Sequence, residues 1–353
     1  MNGTRSVNQH LSSSSTSELA VSRGIQIAVT LVIFLVGIPL NGLVVWSLGR
    51  RNNRHLIHRG RTGETRSASS FRVYVLNLAL ADLILLLRTP LMLGYLINGF
   101  SWPFGPVFCH LIMFLRGLGL YASAFLLCAV SLERCLCLLR PVWAQLHRPS
   151  WAVPLVCGLL WLVATTVSAP YLHFAKLEQW NKTLQCIDSG DFSLGLFVTE
   201  TIAGFLLPLL VFLGSNLAVL LTVKQVVPPT PTSPSSSLSM ARKMSRMYHV
   251  LSFTMLLFLT CWVPYFVFRF LQALSQKPSK MYNLASTGKY ISLFLVYFKS
   301  ALNPVLYVFA ARGLGRAVKA SLVSTIGRLF SDESFDSIRR KSRSQTQEHT
   351  GAN

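Results

Sequence analysis

Seven long apolar stretches alternate with polar segments along the chain, near residues 25–48, 73–96, 111–137, 151–171, 192–223, 249–274 and 284–309. At 1.5 Å of rise per residue, each is long enough as a helix to cross roughly 30 Å of hydrocarbon. Seven membrane-crossing helices are therefore expected. In the third, Arg116, Ser123 and Arg134 return to within about 20° of one another at each step around the helix. Charge at membrane depth is costly and faces a bundle interior or a water-filled cavity, so this stripe points inward and marks function.

The polar segments set the domain organisation. Residues 1–23 are rich in Ser and Thr and read as a tether. Residues 24–322 form one membrane domain, and residues 323–353 a polar tail expected to be disordered. A Pro/Ser/Thr run at 226–239, with Pro228-Pro229-Thr230-Pro231 inside it, cannot be helical and links spans five and six. No internal repeat is visible, which argues against an inverted-repeat transporter.

Composition agrees with this division. Apolar residues make up 52% of the chain and charged residues 13%, about half the charged share of a soluble protein. The fold class is an all-α membrane protein, a seven-transmembrane helix bundle. An odd number of spans puts the termini on opposite sides. The first, third and fifth connectors and the C-terminal tail, with Arg134 at the inner end of span three, carry 22 of the 33 Lys and Arg residues. Those segments are cytoplasmic and the N-terminus is extracellular. The N-terminal residues hold no short apolar stretch with a cleavage site, so the first span is expected to act as its own insertion signal.

A net charge of +21 raises the question of nucleic acid. The basic residues are divided among membrane-flanking loops without interleaved aromatics, so a nucleic-acid partner is not expected. The connector with Arg50, Arg51, Arg54, Arg59, Arg61, Arg66 and Arg72 suits anionic membrane lipids. The same residues are also explained by orientation alone. No nucleophile with a base and no metal-ligand set is apparent, so neither an enzyme, a cofactor nor a metal is expected.

Of seven cysteines, Cys109 and Cys186 fall at outer loops or span ends, where a disulfide can form, and are expected to pair. Asn2-Gly3-Thr4 and Asn181-Lys182-Thr183 are glycosylation sequons on segments placed outside.

In chain order the spans carry Asn41, then Leu78-Ala79-Leu80-Ala81-Asp82, then Cys109 with Glu133-Arg134-Cys135. Trp161, Pro208, Phe258-x-x-Cys261-Trp262-x-Pro264 and Asn303-Pro304-x-x-Tyr307 follow. Together they resemble the rhodopsin-like (class A) G-protein-coupled receptors over about residues 25–322. The resemblance implies a switch in which ligand favours an outward swing of span six and opens a cytoplasmic cleft for a heterotrimeric G protein. It gives Trp262 and Phe258 a repacking role and places Arg134 and Tyr307 beside the G protein. Pro264 removes a backbone hydrogen bond and kinks span six, supplying a lever. Residues 312–322 are expected to form a short amphipathic cytoplasmic helix after the seventh span. No cysteine follows Tyr307, so no palmitoyl anchor is expected there.

The departures are informative. Cys135 stands where a tyrosine is common, and Asn216 stands where many members have a tyrosine supporting the active state. Span six offers Arg242, Lys243 and Arg246 at its inner end and no acid, leaving Glu133 as the candidate partner of Arg134. Basal activity follows as an expectation. In the family, residues matching Asp82, Ser123, Asn303 and a further asparagine commonly line a sodium site. That asparagine is Lys299 here, which is expected either to replace the ion and pair with Asp82, or to point elsewhere or be neutral, as buried lysines can be.

The outer half is cationic, with Arg116, Arg269, Lys289 and Arg88 opposed by Glu200 and walled by Met113, Leu120, Tyr265 and Phe266. An arginine at the position of Arg116, where amine-binding members have aspartate, argues against a biogenic amine. A guanidinium fork suits carboxylate or phosphate. The expected ligand is an amphiphilic anion, a lipid acid or a peptide's carboxylate end. The alternative is structural, with Arg116 paired to Glu200 and Arg269 snorkelling to the surface.

The stretch Ser131-Leu132-Glu133-Arg134-Cys135-Leu136, followed by Leu139-Arg140-Pro141-Val142-Trp143-Ala144, resembles the chemoattractant branch, which includes formyl-peptide, anaphylatoxin, leukotriene and chemoattractant prostaglandin receptors. Inhibitory G-protein coupling is implied by that likeness. Tail residues Ser331, Ser334, Ser337, Ser342, Ser344 and Thr346 are candidates for phosphorylation and arrestin binding. A decoy or scaffold receptor of the same fold remains the alternative function.

Overall fold

The computed structural model describes residues 3–57, 66–140, 149, 151–180, 182–188, 194–226, 253, 256–257, 259–276 and 279–310. Its helices are α1 (Gly3–Ile57), α2 (Arg66–Leu86), α3 (Thr89–Ile97), α4 (Gly105–Leu139), α5 (Ala152–Ser168), α6 (Tyr171–Phe174), α7 (Leu194–Thr201) and α8 (Leu207–Val226). An apolar helix α9 (Leu259–Leu274) and α10 (Lys280–Ala310) complete the bundle. Strands β1 (Lys176–Trp180) and β2 (Thr183–Ile187) form an antiparallel hairpin between α6 and α7.

Helix α1 starts at Gly3 and ends at Ile57, well beyond the apolar run in both directions. The tether expected at residues 1–23 is therefore helical from Gly3. Once a membrane span has nucleated a helix, each added residue costs little, and serine is only a moderately poor helix former. The connector at 50–72 is shortened in the same way, by α1 to Ile57 and α2 from Arg66.

Helix α4 is the centre of the bundle, packed against α2, α5 and α8. Every residue from 116 to 128 is buried, as expected of a helix that is apolar on all sides. Gly119 permits the close approach of α2, since a Cβ there would lie 3.1 Å from the Leu85 backbone. Polar side chains tie the spans together. Asn41 donates to the Ser300 carbonyl at 3.1 Å, Trp161 to Asn77 at 2.9 Å, and Asn303 to Asp82 at 2.7 Å.

Two prolines shape the outer half. Pro90 opens α3 after the chain leaves α2 at Leu87-Arg88, and the Thr89 hydroxyl donates to the Leu86 carbonyl at 2.6 Å. A π turn at Ile202–Leu206 joins α7 to α8, directly before Pro208. The pyrrolidine ring clashes with the carbonyl four residues back, that of Gly204, and the widened turn relieves the clash.

The hairpin is held over the outer opening. Its β2 strand is fixed by the Cys109–Cys186 disulfide to the start of α4. Trp102 N–H donates to the Leu184 carbonyl at 2.7 Å, and Tyr95 hydroxyl to Gln185 at 2.8 Å. The residue after β2, Asp188, is thereby fixed in space. The expected helix after the seventh span, the cytoplasmic tail and both sequon asparagines lie outside the described residues.

Candidate ligand-binding site

Arg116 lies at the middle of an ion-pair network between α4, α7, α9 and the hairpin. Its Nη1 donates to the Tyr265 hydroxyl at 3.0 Å, and that hydroxyl donates to Glu200 at 2.5 Å. The guanidinium also lies 3.6 Å from Glu200 and 3.6 Å from Asp188, over the face of Tyr171. Arg269 makes tighter pairs, 2.9 Å to Glu200 and 3.0 Å to Asp188. It is buried and does not snorkel. Glu200 accepts in addition from Tyr171 at 3.3 Å.

Sequence reading left Glu200 as the single acid of this region, and the structure adds Asp188. Its position two residues after Cys186 was the available signal, because the disulfide carries that stretch to the top of α4. Burial pushes the Asp188 carboxyl up, but Lys289, Arg269 and Arg116 outweigh it and hold it well below the usual carboxylate range.

A cavity of about 200 Å³ opens beside this network, between α1, α3, α4, α10 and the hairpin. Arg88, Arg116, Lys289 and Asp188 are its charged walls, and Met92, Met113, Leu293 and Phe294 are among its apolar ones. Arg88 is buried, donates to the Tyr297 hydroxyl and lies over that ring. Its Nε has no hydrogen-bond partner, and neither do Nε and Nη2 of Arg116. Of the eight expected ligand contacts, Arg88, Met113, Arg116 and Lys289 line the cavity. Arg269, Glu200, Leu120 and Tyr265 do not. The Arg269 and Glu200 charges answer each other, Tyr265 bridges Arg116 to Glu200, and Leu120 packs against Gly204 of the π turn. Tyr290, Tyr297 and Gln185 are polar cavity walls that sequence reading missed.

The rhodopsin-type family of seven-transmembrane receptors, described as "7 transmembrane receptor (rhodopsin family)", matches residues 40–307, more than half of the chain. The chain belongs to this family. Among similar proteins is the type-1 angiotensin II receptor A of Xenopus laevis, 32% identical over 67% of this chain and 66% of that receptor. Prostaglandin D2 receptor 2 of Mus musculus is 28% identical over 86% of this chain and 76% of its own length. The C3a anaphylatoxin chemotactic receptor of Danio rerio is 29% identical over 92% of this chain and 82% of its own. The receptor is a multi-pass plasma-membrane protein related to chemoattractant receptors, and it is not an enzyme.

Below the network the receptor carries an aromatic cluster. Trp262 is buried, edge-on to Tyr265 with ring centroids 6.0 Å apart and tilted against Phe266 at 5.9 Å. Pro264 lies between them in α9. Tyr265 thus touches both Glu200 and Trp262, joining the charged network to the switch region. Phe258 and the side chains of Arg134 and Tyr307 lie outside the described residues. Cys137 donates to Glu133 at 3.8 Å, and Pro304 lies within α10.

At mid-membrane one oxygen of Asp82 accepts from Asn303, and its other oxygen has no hydrogen-bond partner. The Ser123 hydroxyl is also buried and unpaired. Lys299 is buried, and among the described contacts no ion pair joins it to Asp82.

Proposed function

We propose that the receptor binds an extracellular anionic ligand, a lipid carboxylate or a peptide carboxylate, in the cavity walled by Arg88, Arg116 and Lys289. The observation that carries this reading is the imbalance of charge. Arg88, Arg116, Arg269 and Lys289 face Asp188 and Glu200, leaving two positive charges in excess, with guanidinium N–H groups of Arg88 and Arg116 unpaired. Buried donors without partners are costly, and a carboxylate relieves that cost. The relatives are named for a prostaglandin, for angiotensin II and for C3a, so lipid and polypeptide ligands are both within the family's range.

The ligand's carboxylate competes with Asp188 for Arg116, and the Arg116–Tyr265–Glu200 chain carries the change to Trp262 and α9. The shift of population is limited by the ligand's difference in affinity between the two states. Pro264 supplies the bend through which α9 opens the cytoplasmic face to a heterotrimeric G protein, of inhibitory type by branch resemblance. Residues 1–23 are extracellular with Asn2 and Asn181 glycosylated, and residues 323–353 recruit arrestin after phosphorylation.

The test is G-protein activation in cells expressing the receptor, challenged with oxidised fatty acids, carboxylate-ended peptides and amines, with Arg134→Ala as the inactive control. A response confined to anions supports the reading, and a response to amines overturns it. The decoy alternative is kept open by Asn216, which stands where many members of the family have a tyrosine. Binding of an anion to surface-expressed receptor with no G-protein response would select that alternative.

A further inference from the structure

A second cavity, of about 550 Å³, lies between α1 and α10. The exposed Val21, Ile25 and Val29 of α1 and Ile291 of α10 line it, together with the polar Ser22 and Gln26. Phe294 belongs to both cavities. On α10 the residues just before it, Tyr290 and Leu293, face the cationic cavity, and Ile291 faces the groove. On α1 the division is equally sharp, with Thr30 and Ile33 on the cavity side and Val29 on the groove side. One aromatic ring therefore stands between a cationic chamber and a largely apolar, open groove.

We propose that this groove seats the hydrocarbon chain of the ligand, so that the receptor takes a long-chain lipid carboxylate with its head among Arg88, Arg116 and Lys289 and its tail passing Phe294. The inference rests on the anion-binding reading above and narrows it. A peptide does not suit the slot, because backbone N–H and C=O groups facing hydrocarbon need partners. Of the polar groups along the passage, the Thr30 hydroxyl is turned back on its own backbone, donating to the Gln26 carbonyl at 2.7 Å, whereas the Gln26 amide donates to the Ser22 hydroxyl at 3.3 Å and keeps its oxygen buried without a partner. At the cavity end the Tyr290 hydroxyl is buried and unpaired, edge-on to Phe294 with centroids 5.4 Å apart. It is placed to bond an oxygen on the chain near its head.

The experiment uses the full receptor in phosphatidylcholine nanodiscs and an octadecanoic acid with a photoreactive diazirine at its far end. Cross-links are expected within the stretches from Val21 to Val29 and from Ile291 to Phe294, displaced more strongly by unlabelled fatty acids as their chains lengthen. Each methylene buried from water is worth about fourfold in affinity. Val29→Trp and, separately, Ile291→Trp, both at exposed positions, are expected to weaken octadecanoic acid by about tenfold and octanoic acid by less than about twofold. Competition that is independent of chain length but lost in Arg116→Gln would overturn this inference and leave the anion-binding reading standing. Cross-linking of a diazirine phosphatidylcholine to the same residues, undisplaced by any acid, would assign the groove to bilayer lipid and overturn it. If no fatty acid of any length competes, this inference falls, and the anion-binding reading then stands or falls with the carboxylate-ended peptides.

Discussion

Glu200 of α7 and Arg269 of α9 form a buried ion pair of 2.9 Å, and Glu200 also answers Arg116 and accepts from two tyrosines. Removing one partner of such a pair leaves an uncompensated buried charge, which costs about 3 kcal/mol or more. Glu200→Gln is therefore expected to lower the melting temperature of purified receptor and its surface expression. Arg269→Gln in the same chain should recover part of the loss, because it removes the orphaned charge. A double variant no more stable than Glu200→Gln would show that the pair is not the source.

Asp188 competes with the ligand for the same cations in the reading above. Asp188→Asn is expected to raise the affinity for carboxylate ligands by about tenfold, roughly one charge-assisted hydrogen bond. Radioligand competition against wild type checks this, and unchanged or weaker binding would count against the competition.

The same residue predicts a pH profile. The Asp188 carboxyl is held well below its usual range because Lys289, Arg269 and Arg116 outweigh the effect of burial. A lowered folded value means that its contribution to stability is complete above the unfolded value, about 4. The contribution is lost only as pH falls below that value towards the folded one. The difference in thermal stability between wild type and Asp188→Asn should stay flat from about pH 5 to about pH 6, below the range in which the neighbouring Lys289 begins to lose its proton. A difference that changes within that window would show that other groups set it.

Arg88 and Arg116 should separate by their surroundings. Arg116 answers two acids and a tyrosine, whereas Arg88 donates to Tyr297 alone among the described contacts. Arg88→Gln is expected to lose about tenfold or more in anion affinity with little change in stability, and Arg116→Gln to lose both. Saturation binding beside thermal melting distinguishes the two, and equal effects on stability would refute the distinction.

Much of this architecture was legible because the membrane imposes a simple rule. A long apolar run must be a helix, and a charge within it must face inward, and Arg116 and Arg269 are both buried. The ends of α1 were not legible, since serine-rich sequence reads as a tether whereas an adjoining span propagates helix into it. The cavity was only half legible. Arg88, Arg116, Met113 and Lys289 line it, as four of the eight residues expected there, but the helical angle left the direction of Arg88 open, and which cations meet an acid depends on loop geometry. The position of Asp188 is set by a disulfide and a hairpin register, and no periodicity reports that.

Lys299 gives a final prediction. It is buried in the same field as Asp82, whose one oxygen is bonded to Asn303 and whose other is unpaired. A charged lysine at this position would bring the positive charge that a sodium ion otherwise brings to this carboxylate, and would repel a second cation. Agonist binding to wild type should therefore be the same in sodium and in potassium or choline salts at equal ionic strength. Lys299→Asn removes the resident charge and leaves Asp82 and Ser123 with unpaired oxygens, so sodium should then weaken agonist binding. Sodium sensitivity in wild type would mean that Lys299 does not fill this role. Insensitivity in both proteins would mean that the remaining oxygens do not form a cation site.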